Sequence, residues 1–118
     1  MKILFAIRVF ICKLRGKPVP LRTVVVDEMP ELAKRNALYI YSSSGHHWGA
    51  ALICPCGCGN LIELNLLPEG RPCWQTRMHW DSSISLYPSI WRKAGCKSHF
   101  WIEQGLVKWC SFSLPSLP

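Results

Sequence analysis

The chain has 118 residues, of which 49% are hydrophobic and 18% charged, with a formal net charge of +7. That balance excludes a disordered chain, and the length allows one domain with a short extension. Mapping the charge argues against a nucleic-acid partner, and none is expected. Lys2, Arg8, Lys13, Arg15, Lys17 and Arg22 carry six positive charges with no acid among them, which leaves +1 for residues 23–118. No stretch nears the ~18 uninterrupted apolar residues of a membrane span. Arg8 and Lys13 interrupt the first apolar run, and no small-residue cleavage site follows it. The seven cysteines cannot all pair within one chain, and a reducing, cytoplasmic setting is expected.

In chain order, Ile3, Leu4, Ile7, Phe10, Ile11 and Leu14 share one face at helical spacing, which predicts a helix over 2–15. Gly16-Lys-Pro-Val-Pro20 ends it. Phe5 and Val9 lie opposite among basic residues, so an interfacial membrane helix is conceivable. Docking on the body or on a partner is the favoured reading, and no membrane contact is expected. Residues 23–26 read as a strand. Asp27-Glu-Met-Pro30 then predicts a short helix to about residue 35, with acids and proline in its first turn. Strands are expected over 37–41, 50–53 and 61–66, the last two antiparallel about the cysteine turn. Residues 67–72 read as a loop. Hairpins are expected from 74–80 with 84–87, and from 100–103 with 106–109, with a turn or helical segment over 89–93 between them. Six tryptophans, from Trp48 to Trp109, are read chiefly as core and cross-strand packing. Short strands at this spacing predict a mainly β (α+β) fold, a small antiparallel β domain with an N-terminal helical arm. The expected organisation is a basic amphipathic arm over 1–20, a zinc-binding β-rich domain over 21–112 and a loose tail over 113–118.

The chemistry concentrates in Cys54-Pro-Cys-Gly-Cys-Gly59 and Cys96-Lys-Ser-His99. A turn brings closely spaced thiols together, and Gly57 and Gly59 tolerate the positive φ such a turn needs. Zinc takes four such ligands in a tetrahedron. Cys54, Cys56, Cys58, Cys96 and His99 are five candidates for about four places, so one of them has another role. An iron–sulfur cluster would need a fourth thiol. A reactive cysteine with His99 as base, disulfides and simple buried thiols are the competing readings. Cys12, Cys73 and Cys110 are expected to be buried, with Cys110 a reserve ligand. Ser89 with His46 or His99 has the ingredients of nucleophilic catalysis, although no nucleophile-elbow motif is present. His46 and His47 otherwise read as a surface loop.

In these motifs the chain resembles a family of small bacterial proteins of unknown function. They carry a CPCGCG turn, a Leu-Asn-Leu strand, a Pro-Ser-[Ile/Val]-Trp segment and a Cys-x-Ser-His-Phe ending. Here those are residues 54–59, Leu64-Asn-Leu66, Pro88-Ser-Ile-Trp91 and Cys96-Lys-Ser-His-Phe100. Such proteins are encoded beside E1-like, E2-like and ubiquitin-like proteins, in operons that resemble conjugation or defence systems. The resemblance implies a zinc-binding accessory protein of such a pathway, with the ubiquitin-like protein and the E1-/E2-like enzymes as partners. The alternative it implies is a small peptidase that processes or removes the modifier; the resemblance assigns no catalytic residues, and Ser89 with His46 or His99 is the pair that the residues themselves offer.

Overall fold

The computed structural model describes residues 2–110; the tail expected over 113–118 lies outside the described residues. One helix, α1 (Lys2–Leu14), precedes eight strands: β1 (Arg22–Val26), β2 (Ala37–Ser43), β3 (His46–Ile53), β4 (Leu61–Asn65), β5 (Gln75–Met78), β6 (Ile84–Trp91), β7 (His99–Glu103) and β8 (Leu106–Trp109). They form two four-stranded sheets, β1-β2-β3-β4 and β5-β6-β7-β8. The fold is mainly β, as the pattern of short strands predicts. All pairings are antiparallel except β1 with β2, which run parallel.

Alternation decides which side chains meet. Leu38, Ile40, Ala50, Leu52, Ile62 and Leu64 of the first sheet share one core with Ile84, Leu86, Ile90, Phe100 and Ile102 of the second. Ala37, Tyr39, Tyr41 and Ala51 point the other way, where Val24, Val26, Met29 and Ala33 cover them. Strand β2 is therefore buried on both faces, and its apolar run has no polar alternation.

Three local expectations change. Residues 27–35 form bends and turns rather than a helix. A helix would bond the Lys34 N–H to the carbonyl of Pro30; instead that N–H donates to the Tyr39 hydroxyl at 2.8 Å. Tertiary contact outcompetes a helix too short to nucleate well. Residues 89–91 continue β6 instead of turning, because Ile90 and Trp91 pair with Phe100 and His99. Most tryptophans also lie outside the core: Trp48, Trp80, Trp91, Trp101 and Trp109 are all exposed. The shared core is filled chiefly by leucine, isoleucine and Phe100; the cross-strand part of the expectation holds, since Trp91 stacks on its partner His99 and Trp109 packs on its partner Phe100.

The arm is held by its polar side. Arg8 bonds Asp81, a carboxylate with no solvent exposure, at 2.7 Å. Burial pushes the Asp81 carboxyl up, but Ser83, through its hydroxyl and N–H, and Arg8 outweigh burial and hold it below its ordinary value. A pKa depressed in the folded state stabilises fully above the ordinary carboxylate range of about 4 and loses that contribution as pH falls through the folded value. Arg8→Ala should cost about 2–3 kcal/mol at pH 7, less than a fully buried pair because Arg8 keeps 19% exposure. In urea unfolding the gap from wild type should shrink at about pH 3; an equal gap at both pH values would exclude an ionic contribution.

Candidate active site and metal centre

Cys54 follows the last residue of strand β3 and is fully buried in the shared core. Its N–H donates to the Asn60 carbonyl at 2.8 Å and its carbonyl accepts from Gly57 N–H at 3.3 Å, which closes the turn. Gly57 and Gly59 take φ of 97° and 83°, the conformation that glycine permits at low cost. Side chains of Cys56 and Cys58 are thereby folded back toward Cys54. Cys96 arrives from the β6–β7 connection, where Arg92 N–H bonds the Ser98 carbonyl at 2.8 Å across the loop.

The sulfurs of Cys54, Cys56, Cys58 and Cys96 all lie within 4.8 Å of one another. Cys54 Sγ is 3.4 Å from Cys56 Sγ and 3.6 Å from Cys96 Sγ. A tetrahedron with metal–sulfur bonds of ~2.3 Å has sulfur–sulfur edges of about 3.8 Å, so the thiols fit one metal ion. They are far beyond the ~2.05 Å of a disulfide, so Cys54, Cys56, Cys58 and Cys96 are reduced thiols. Ser98 Oγ lies 3.1 Å from Cys96 Sγ. The Ser98 hydroxyl, then its N–H, pull the Cys96 thiol down to about 6, toward the thiolate that metals bind. Arg92 sets a guanidinium nitrogen 3.7 Å from both the Cys58 and Cys96 sulfurs, a fixed positive charge at the edge of the cluster.

His99, the fifth candidate, is not in this cluster. Its Nε2 lies 2.9 Å from Ser89 Oγ. The cause is a register shift in β6. Pairs Ile90↔Phe100 and Trp91↔His99 give way to Leu86↔Ile102, so residues 87–89 bulge between them. Pro88 has no N–H to offer a ladder and is tolerated at such a place. The bulge turns Ser89 diagonally toward His99. Trp91 stacks on the imidazole with centroids 4.7 Å apart and planes 11° from parallel, while Lys93 Nζ sits 3.7 Å over the Trp91 ring. Trp74 Nε1 donates to the Ser89 carbonyl at 3.3 Å. Trp74 also lines a cavity of about 370 Å³ with His47, Leu66, Pro68, Cys73, Gln75 and Thr76.

His46 lies elsewhere. It is exposed at the start of β3, opposite Ser43, and makes no hydrogen bond to Ser89. A second serine–histidine pair, His79 Nε2 to Ser85 Oγ at 2.7 Å, was not legible in the sequence. Ser85 is 1% exposed and accepts the Gln104 N–H at 2.9 Å, so this hydroxyl is tied into the fold. Ser98 was also missed as a partner of the thiols; its place within Cys-x-Ser-His was the available signal.

The fold and the site together define a class: a small two-sheet β protein with a serine hydroxyl–imidazole pair beside a four-thiol cluster. The chain belongs to the BubE family, whose model, described as bacterial ubiquitination-like system serine protease (BubE), matches residues 25–110. It is thus a component of a bacterial ubiquitination-like system. None of the curated proteins and none of the solved structures matches this chain.

Proposed function

We propose that the protein is a serine peptidase acting on the ubiquitin-like modifier of its system, with Ser89 as nucleophile and His99 as general base. The single observation that carries this is the 2.9 Å approach of Ser89 Oγ to His99 Nε2; the family description supports it. In this reading His99 Nε2 takes the hydroxyl proton as Ser89 Oγ attacks the scissile carbonyl carbon. The same nitrogen then returns the proton to the leaving amine, and a seryl ester remains. Water, deprotonated by His99, hydrolyses that ester. Trp91 fixes the imidazole plane, and the cavity beside Trp74 offers room for a substrate side chain.

The metal is zinc in this proposal, held by Cys54, Cys56, Cys58 and Cys96. Four protein ligands leave no open position, so its part is structural: when bound it would tie the β3–β4 turn to the loop that leads into His99. Processing of the modifier and its removal from targets, in antiviral defence and in the cytoplasm, complete the reading, with E1- and E2-like enzymes as pathway partners. The four reduced thiols suit a reducing compartment.

Zinc-loaded protein incubated with a C-terminally extended form of the modifier should release the extension, and a fluorophosphonate probe should label Ser89. If neither occurs, the peptidase reading fails and the zinc-binding accessory reading takes its place.

A further inference from the structure

Helix α1 faces away from the protein with the stripe that its sequence marks for burial. Ile3 is 73% exposed, Phe10 62%, Leu14 70%, and Leu4, Ile7 and Ile11 are exposed as well. At 100° per residue these six cover an arc of about 120°. Phe5, Arg8, Val9 and Cys12 lie on the opposite side, and they are the half-buried residues of the helix. Arg8 is the anchor, through Asp81. The seating is otherwise loose: a cavity of about 750 Å³ remains between Phe5 and Ala6 of the helix and Thr23, Val24 and Val25 of β1.

We infer that α1 is an interfacial helix that docks this protein on an anionic lipid surface through Ile3, Leu4, Ile7, Phe10, Ile11 and Leu14. The proposal goes beyond the peptidase reading and does not depend on it. Charge chooses the occupant. Lys13 borders the stripe on one side, exposed Arg15 and Lys17 follow its end, and no acid occurs before Asp27. A second copy would bring the same cations against themselves with no acid on either helix to answer them. An anionic bilayer supplies the counter-charge and the apolar phase together. The helix lies in the interface rather than across it. Thirteen residues rise only about 20 Å against a hydrocarbon core of ~30 Å, and no helix among the described residues is long and apolar enough to cross. With Arg8 holding the opposite face, the rest of the protein stays in water above the membrane.

Co-sedimentation of the full chain with vesicles tests this. With roughly 30 mol% phosphatidylserine in phosphatidylcholine, most of the protein should pellet at about 0.1 M salt, at least about fivefold more than with phosphatidylcholine alone. Raising salt to about 0.5 M should reduce the bound fraction. Ile7→Glu with Phe10→Glu should return the protein to the supernatant, while Leu32→Glu, at an 85% exposed apolar residue off the helix, should not. Circular dichroism of each variant checks that the fold is kept. The proposal is overturned if wild type fails to pellet with anionic vesicles, or if the double variant binds like wild type. It is equally overturned if Ile7→Glu abolishes self-association in sedimentation velocity while vesicles bind nothing, since the stripe would then serve a second copy.

Discussion

Ser89→Ala is expected to lower kcat/KM for cleavage of the extended modifier by about 10³-fold or more, while stability changes by no more than about 1 kcal/mol. That rate loss corresponds to about 4 kcal/mol of transition-state stabilisation, several times what one half-buried hydrogen bond contributes to folding. His99→Ala should cost a similar factor. Because the proposed mechanism has the two groups move one proton, the double variant should be hardly slower than either single one. Additive losses would mean that they act separately. His46→Ala provides the contrast: an exposed imidazole with no bond to Ser89 should leave cleavage within about twofold of wild type. His79→Ala should likewise spare the rate, since its partner hydroxyl is enclosed by the fold. Steady-state kinetics of these variants, read beside their thermal unfolding, separate the proposed catalytic pair from the structural one.

The second large effect concerns the thiols. Cys54→Ser places a hydroxyl in a fully buried position and, in the zinc proposal, removes the ligand that joins the core to the metal. Structural zinc contributes about 10–16 kcal/mol in small domains, comparable with the 5–15 kcal/mol that an entire domain retains. Cys54→Ser should therefore lose bound zinc and its cooperative unfolding transition. In wild-type protein a strong chelator should do the same, and re-addition of zinc should restore both the transition and the cleavage. Metal analysis and calorimetry read the outcome. Near-stoichiometric zinc in Cys54→Ser, or an unchanged transition after chelation, would remove the metal from the account of stability. Recovery of cleavage without recovery of the transition would instead point to an open, catalytic metal.

Much of the fold could be read locally. The hairpin around Gln104 and Gly105, the antiparallel pair about the cysteine turn and the β-branched run of β1 follow from alternation and turn residues alone. Readings failed where a distant group intervened. Residues 27–35 carry good helix-start chemistry, yet the Tyr39 hydroxyl takes a helix N–H. Residues 89–91 follow a proline that suggests a break, yet β7 supplies pairing partners for Ile90 and Trp91. The tryptophans illustrate a different limit, since hydrophobic character does not say whether a ring fits a narrow interior.

By itself the sequence determined that Cys54, Cys56 and Cys58 would lie together. Three cysteines on one glycine turn must share a neighbourhood, because the turn's own geometry brings them together. It also determined that α1 would be amphipathic, since helical period and residue order are local properties. Only the tertiary structure decided the fate of the surplus ligand. Whether His99 turns to the thiol cluster or to Ser89 depends on how many residues β6 inserts between two paired points, and register is a relation between strands. The same holds for the arm: its stripe is written in the chain, but the Arg8–Asp81 bond, spanning 73 residues, decides which face meets the protein.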